Sequence, residues 1–167
     1  MDDIFNITVS SFRDVEAVSP RPVTLKAWLT SSKHRQKVKL IRSTQDEKTQ
    51  KIIKKSLPCI TPAGRFSYRN KKSFLEHSGF MAFDIDFQDN KHITNFSELK
   101  DQLKNIKNIA YCGLSVRGNG FWGLVRIPKS TPEEHESRFE ALKQDFARFN
   151  IVLDPKGHEV NRLRIYS

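Results

Sequence analysis

Cysteine is scarce in this chain of 167 residues. Cys59 and Cys112 stand far apart without the paired spacing of metal ligands, which excludes a disulfide scaffold and a zinc module and leaves each as a reduced structural residue. Long apolar runs are also missing. The acidic start Met1-Asp2-Asp3-Ile4 has no apolar stretch behind it, so neither a signal peptide nor a membrane span is expected, and a cytoplasmic location follows by default. His34, His77, His92, His135 and His158 contain no His-hydrophobic-His pair, which excludes the metal motif of a rolling-circle nuclease. The 7 Gly and 7 Pro are scattered, there is no internal repeat, and a hydrophobic content of 37% with 12 Phe supports a folded interior rather than a disordered tail.

Carboxylates are sparse in the first half. Residues 1 to 80 carry 16 Lys/Arg against 7 Asp/Glu, and residues 81 to 167 carry 13 against 12, so nearly all of the net charge of +10 sits before residue 81. A basic half joined to a near-neutral half suggests that one part holds a polyanion while the other acts on it; lysine-rich surface that merely confers solubility is the competing reading.

What is present centres on Phe83-Asp84-Ile85-Asp86-Phe87, in an apolar run that starts at Gly79. As a strand, it projects Asp84 and Asp86 from one face and Phe83, Ile85 and Phe87 from the other. Two carboxylates that close ask for a cation, and hard oxygen ligands suit Mg²⁺ or Mn²⁺. The alternative is a solvated strand end at which Asp86 opens a turn with Gln88-Asp89-Asn90.

Ahead of this stretch, Ile4 to Val9 reads as a first strand, and Pro20-Arg21-Pro22 introduces a helix with Leu25, Trp28 and Leu29 on one face. Lys33, Arg35, Lys37 and Lys39 recur every second residue, which on an extended segment makes a basic stripe for a phosphate backbone, or else an edge strand protected by its lysines. Asp46 to Ser56 reads as a basic helix, and Leu57 to Phe66 as short strand broken by two prolines and a glycine.

From Gly79 the pattern is regular. A helix carries Phe96, Leu99, Leu103 and Ile106, two strands (109–115 and 121–127) flank the Gly118-Asn119-Gly120 hairpin, and Thr131-Pro132-Glu133-Glu134 is a capping box. His135, Phe139, Leu142, Phe146 and Phe149 share the face of the helix that follows, and Arg162 to Tyr166 alternates as a last strand. The expected fold is therefore α+β: an RRM-like or ferredoxin-like βαββαβ core over residues 79–167, with a basic N-terminal α/β unit over 1–78 packed on it as one domain. In that fold the first and last strands are neighbours, so Asp154 reaches the Asp84/Asp86 site. Ser115, Arg117 and Gly118 offer a hydroxyl, a guanidinium and an amide to a triphosphate. Arg162 and Arg164 share a face of the last strand, as further cations for the polyphosphate or as structural ion pairs.

The ordered set Asp84-Ile85-Asp86, Ser115-Val116-Arg117-Gly118 and Asp154 resembles the three motifs of the archaeo-eukaryotic primase superfamily. Leu57 to Gly64, His77-Ser78-Gly79, Phe83 to Asp86 and Asn161 to Ser167 are similar to its VirE N-terminal-like branch, which includes primase-polymerases, some of them linked to CRISPR systems; the resemblance covers about residues 55 to 167. It implies a DNA primase or polymerase in which Asp84, Asp86 and Asp154 hold two Mg²⁺ or Mn²⁺ ions. Ser115, Arg117, Gly118, Arg162 and Arg164 would then grip an NTP or dNTP. Many members have His where this chain has Arg117, and Arg does not titrate, so no proton transfer passes to that position. A single-stranded DNA or RNA template would lie on the basic half, at Lys33, Arg35, Lys37, Lys39 and Arg65, and a C-terminal domain or helicase partner is expected beyond Ser167. A second expectation is a non-catalytic, RRM-like single-strand binder, since Arg117 to Val125 places aromatics on a central strand.

Overall fold

The computed structural model describes residues 3–167. After a short 3-10 turn at Asp3–Phe5, the chain forms β1 (Thr8–Phe12), β2 (Arg21–Thr24), α1 (Leu25–Thr30), α2 (Arg35–Ser43), α3 (Glu47–Lys55) and β3 (Cys59–Thr61). A hairpin of β4 (Gly64–Phe66) and β5 (Phe74–His77) leads into β6 (Phe80–Asp86), α4 (Phe96–Lys104), β7 (Ile109–Leu114), β8 (Gly120–Arg126), α5 (Pro132–Arg148) and β9 (Arg164–Ile165). The fold is mixed α+β. Its antiparallel strands form three sheets, ordered β2-β1-β3-β9, β4-β5 and β6-β8-β7.

The β6-β8-β7 sheet is covered on both faces, which is why β8 reads as an almost unbroken apolar run rather than an alternating one. On one face Phe83, Ile85, Phe121 and Val125 pack with Leu99 and Leu103 of α4 and Phe146 of α5. On the other, Phe80, Ala82, Trp122 and Leu124 pack with Phe5, Val9, Leu25 and Ile60 of the first eighty residues. Each such buried side chain contributes roughly 1.5–3 kcal/mol, so the basic N-terminal part and the later part share a core. Gly123 lies directly beneath the Phe83 ring: a Cβ there would sit 2.3 Å from Cζ. The α5 start is built as expected, with Thr131 accepting from the Glu134 amide and the Glu134 carboxylate accepting from the Thr131 amide.

Several expectations change. Ile106 falls beyond the end of α4 and is exposed rather than on its buried stripe. The segment from Lys33 to Leu40 is not extended; residues from Arg35 on form α2, because Val38 and Ile41, three residues apart, are buried with Leu57, Val116 and Tyr166. Lys33, Arg35, Lys37 and Lys39 therefore do not form one stripe, and Arg35, Lys39 and Arg42 share a helix face instead. The first strand begins at Thr8 rather than Ile4. Phe149 is exposed rather than buried with Phe139 and Phe146, since α5 stops at Arg148 and Asn150 turns the chain with a φ of 57°. Finally, β9 pairs with β3 (Cys59↔Ile165, Ile60↔Arg164) instead of lying beside β6. Tyr166 draws it there, its amide bonded to the Pro58 carbonyl and its ring buried with Val38, Ile41 and Leu57. Among the described residues, no helix is long and apolar enough to cross a membrane.

Candidate active site

Strand alternation sends Phe83 and Ile85 toward the helices and Asp84 and Asp86 to the opposite face, where the cover ends and a cleft of about 390 Å³ opens. The pairing of Asp86 with Gly120 places the Ser115–Gly120 turn at the same end of the sheet. In that turn Ser115 donates its amide to the Gly120 carbonyl at 2.9 Å, and Gly118 adopts a φ of 80°.

Asp154 arrives by a different route from the expected one. With β9 in the other sheet, the free edge of β6 is met by irregular chain: the Asp154 amide donates to the Asp84 carbonyl at 3.0 Å. Asn90, fully buried, clamps this arrangement, donating Nδ2 to the Asp86 and Val152 carbonyls while its Oδ1 accepts from the Val152 amide at 2.8 Å. The turn expected after Asp86 is present as a 3-10 turn, Phe87–Asn90, but the Asp86 side chain does not cap it.

The cleft brings together Asp84, Asp86, Asp154, Ser115, Arg117, Arg162 and Arg164. Gly118 does not line it. Its amide, expected to hold a triphosphate, donates to the Ser115 carbonyl at 2.9 Å and is spent inside the turn. The basic set is dispersed. Arg35, Lys37 and Lys39 are exposed along α2, Lys33 lines another cleft, and Arg65 lies on β4 beside Glu76 at 3.5 Å. A larger groove of about 1030 Å³ between α4 and α5 is walled mainly by apolar side chains and holds none of the expected residues.

Two arginines hold two of the carboxylates. The Arg164 guanidinium pairs through Nη1 with Asp84 Oδ2, both side chains being almost wholly buried, and Arg162 Nη2 lies 3.2 Å from Asp154 Oδ2. Asp154 Oδ1 accepts from the Lys156 amide at 3.0 Å. Among the described residues Asp86 has no such partner. Partial burial, then the charges of Asp84, Asp154 and Asp89, raise its carboxyl above the ordinary range, with Lys54 opposing them. Arg164 Nε and Nη2 and Arg117 Nε are buried without a hydrogen-bond partner among the described residues. Buried donors left in that condition are expensive, and any acceptor oxygen that enters the cleft relieves them, an anionic one most strongly.

Two contributors escaped sequence reasoning. Arg42, at the end of α2, donates Nη2 to the Ser115 carbonyl at 2.9 Å and braces the turn from outside the cleft. Lys54, from α3, lines the cleft; burial, then the Arg117 charge, lowers its ammonium below the usual lysine range, against the pull of Asp86 and Asp84. The only signal for either was the basic character of the two helices.

A divalent ion fits the chemistry of the donors, since four hard carboxylates line one cleft and, among the described residues, Asp86 and Asp89 have no ion-pair partner. Their arrangement is not yet that of a metal site. Among the described residues no group of three or more His, Cys, Asp or Glu is placed to hold an ion, with Arg164 and Arg162 on Asp84 and Asp154.

A family model described as BT4734-like, N-terminal domain, matches residues 52–163. The chain belongs to that family. Membership of the archaeo-eukaryotic primase superfamily and its VirE N-terminal-like branch is overturned, because the matching family is a different one and no primase family matches. D-x-D, S-x-R and a later lone Asp are short patterns that a βαββαβ-ordered chain can carry without that descent. The BT4734-like match takes in Lys54, Asp84, Asp86, Ser115, Arg117, Asp154 and Arg162, and stops just before Arg164. No curated protein and no solved structure matches the chain.

Proposed function

We propose that this domain is a metal-dependent nucleotidyltransferase that adds nucleotides on a single-stranded nucleic-acid template. The observation that carries the reading is one cleft in which four carboxylates, Asp84, Asp86, Asp89 and Asp154, meet three arginines, with guanidinium nitrogens of Arg164 and Arg117 buried and unpaired among the described residues. A nucleoside triphosphate supplies anionic oxygens for those nitrogens, and Arg162, Lys54 and the Ser115 hydroxyl stand beside them.

Asp84, Asp86 and Asp154 are the residues to hold Mg²⁺ or Mn²⁺, which when bound would activate a 3′-hydroxyl and balance charge on the departing pyrophosphate. The arginines position the phosphates and neutralise charge as the P–O bond breaks. Arg42 keeps the Ser115 turn, and with it Arg117, in register with the carboxylates. The strand-helix-strand-strand-helix-strand order supports reading residues 79–167 as an RRM-like core whose last strand is drawn into the neighbouring sheet. The exposed cations of α2 suit the template backbone, with an affinity that falls steeply with salt.

The test is extension of primed and unprimed single-stranded templates with Mn²⁺ or Mg²⁺ and either dNTPs or NTPs, comparing the wild type with Asp86→Asn. Incorporation by the wild type and its loss in Asp86→Asn support the reading. A second reading, a non-catalytic RRM-like single-strand binder, is favoured by the ion pairs already on Asp84 and Asp154. It prevails if the wild type incorporates nothing yet binds single strands equally well with EDTA present.

A further inference from the structure

The last residues of the chain wall two clefts. Arg164, Ile165 and Ser167 line the carboxylate cleft, while Tyr166 lines a second one of about 790 Å³. Its volume is within the ordinary range of ligand sites. It combines the aromatic rings of Trp28, His34 and Tyr166 with the cations Arg13, Arg21 and Lys33, and no carboxylate is among its lining residues. Arg13 is neutralised by Asp14 at 2.9 Å, whereas Arg21 and Lys33 are exposed and have no ion-pair partner among the described residues.

The rings are held in a fixed arrangement. Tyr166 meets Trp28 edge-on, with centroids 5.6 Å apart and planes at 75°, and meets His34 at 5.4 Å and 75°. Its hydroxyl donates to the Ser31 carbonyl, which locks the ring to the end of α1. Burial, then the charges of Lys33 and Lys37, lower the His34 pKa, which favours the neutral ring. Rigid, uncharged ring faces flanked by free cations are what an unstacked base and its phosphate require.

We infer that the Trp28–His34–Tyr166 cleft is a subsite for a single-stranded nucleic acid, taking a base against the half-buried Trp28 and His34 rings, which the buried Tyr166 braces, and its phosphates on Arg21 and Lys33. The inference rests on the nucleotidyltransferase reading, for which it supplies the template subsite. Helix α2 links the two places. Lys33 and His34 at its start line the aromatic cleft, Arg42 at its end touches the Ser115 turn of the carboxylate cleft, and Arg35, Lys39 and Arg42 share the face between. The nine-residue helix is roughly 13 Å long, so a strand anchored in the aromatic cleft has a basic track toward the carboxylates. An acidic peptide would use the cations and leave the rings without a role.

The experiment uses the whole chain and an oligothymidylate carrying 5-iodouracil, photo-cross-linked and mapped by mass spectrometry, beside fluorescence anisotropy of the same oligonucleotide over a salt series. Cross-links are expected at Trp28 or His34. The exposed double variant Arg21→Gln/Lys33→Gln is expected to bind roughly tenfold more weakly at about 0.1 M salt, with a log–log salt slope shallower by about 1.4 for two lost phosphate contacts. His34→Ala is expected to weaken binding without changing the slope, and thermal melts confirm that each variant is folded. Cross-links confined to other surfaces, double-variant binding equal to wild type, or displacement of the oligonucleotide by a polyglutamate peptide at equal concentration each overturn the inference. The catalytic reading is tested separately: Arg21→Gln/Lys33→Gln keeps its Mn²⁺-dependent dNTP binding if only the template subsite has been misassigned, and the wild type shows none if the carboxylate cleft has been misread.

Discussion

Arg164 and Asp84 join two sheets: the guanidinium comes from β9, paired with β3, and the carboxylate from β6, paired with β8, and they meet as an ion pair with about one tenth of each side chain exposed. The pair spends one edge of the guanidinium and leaves Nε and Nη2 without protein partners. It is therefore a tie between the two halves of the core that leaves two buried donors open.

Removing one member of this pair is expected to cost on the order of 3–5 kcal/mol, because the other charge stays buried alone. Asp84→Asn and Arg164→Gln should each lower the urea midpoint strongly. The double variant should be less destabilised than the sum of the two, which a double-mutant cycle measures directly. Additive losses would show that the two side chains do not interact.

Asp86 behaves in the opposite way. Its carboxyl is raised by partial burial and by Asp84, Asp154 and Asp89, so its ionisation opposes folding: the associated stability is present at low pH and is lost as pH rises through the folded pKa. Asp86→Asn should keep or raise the melting temperature at pH 7 while abolishing nucleotide addition. Mn²⁺ should raise the melting temperature of the wild type more than that of the variant, since a ligand bound only by the folded state stabilises it by mass action.

His77 and His135 form a buried pair, His77 Nε2 lying 3.0 Å from His135 Nδ1, with the Gly79 amide donating to His77 Nδ1 at 2.9 Å. Burial, reinforced by nearby positive charges, lowers both pKa values from 6.5 to about 4. Both rings are neutral in the fold, whereas the unfolded chain takes up protons below about pH 6.5. The stability they contribute is complete above that pH and is lost as pH falls through about 4. The urea midpoint should drop between pH 6.5 and 4, and less steeply in His135→Gln.

Two glycines separate space from conformation. At Gly123 a Cβ would lie 2.3 Å from the Phe83 ring and 2.6 Å from the Tyr111 carbonyl oxygen, so Gly123→Ala should cost about 3 kcal/mol by overpacking. At Gly118 the nearest atom, on Arg42, is 3.7 Å away, and only the φ of 80° resists, so Gly118→Ala should cost about 1 kcal/mol. Thermal or urea denaturation distinguishes the two.

Much of the second half was legible because its signals are local. The alternation at Phe83–Phe87, the stripe of α4, the Gly-Asn-Gly turn and the Thr131–Glu134 box each follow from a spacing of two to four residues. The approach of the Ser115–Arg117 turn to Asp84 and Asp86 was legible through the strands that flank it, whereas Asp154 and Arg164 were expected there on a β6–β9 pairing that the structure does not have. Misreading concentrated where two periodicities fitted one stretch. From Lys33 to Leu40 the lysines recur every second residue, but Val38 and Ile41 have the helical spacing, and it was their burial against Leu57 and Tyr166 that decided. The motif resemblance failed for a related reason: short acidic and basic patterns state a chemistry that unrelated chains can share.

The sequence by itself therefore determined the mixed α+β composition, the basic first half, and the two carboxylates on one face of β6, all consequences of residue spacing and charge. Tertiary structure alone decided which sheet receives β9, and with it that Arg164 neutralises Asp84 while Asp154 reaches the cleft on irregular chain. No local pattern encodes that choice. It follows from the burial of Tyr166 with Val38, Ile41 and Leu57, partners more than a hundred residues away in the chain.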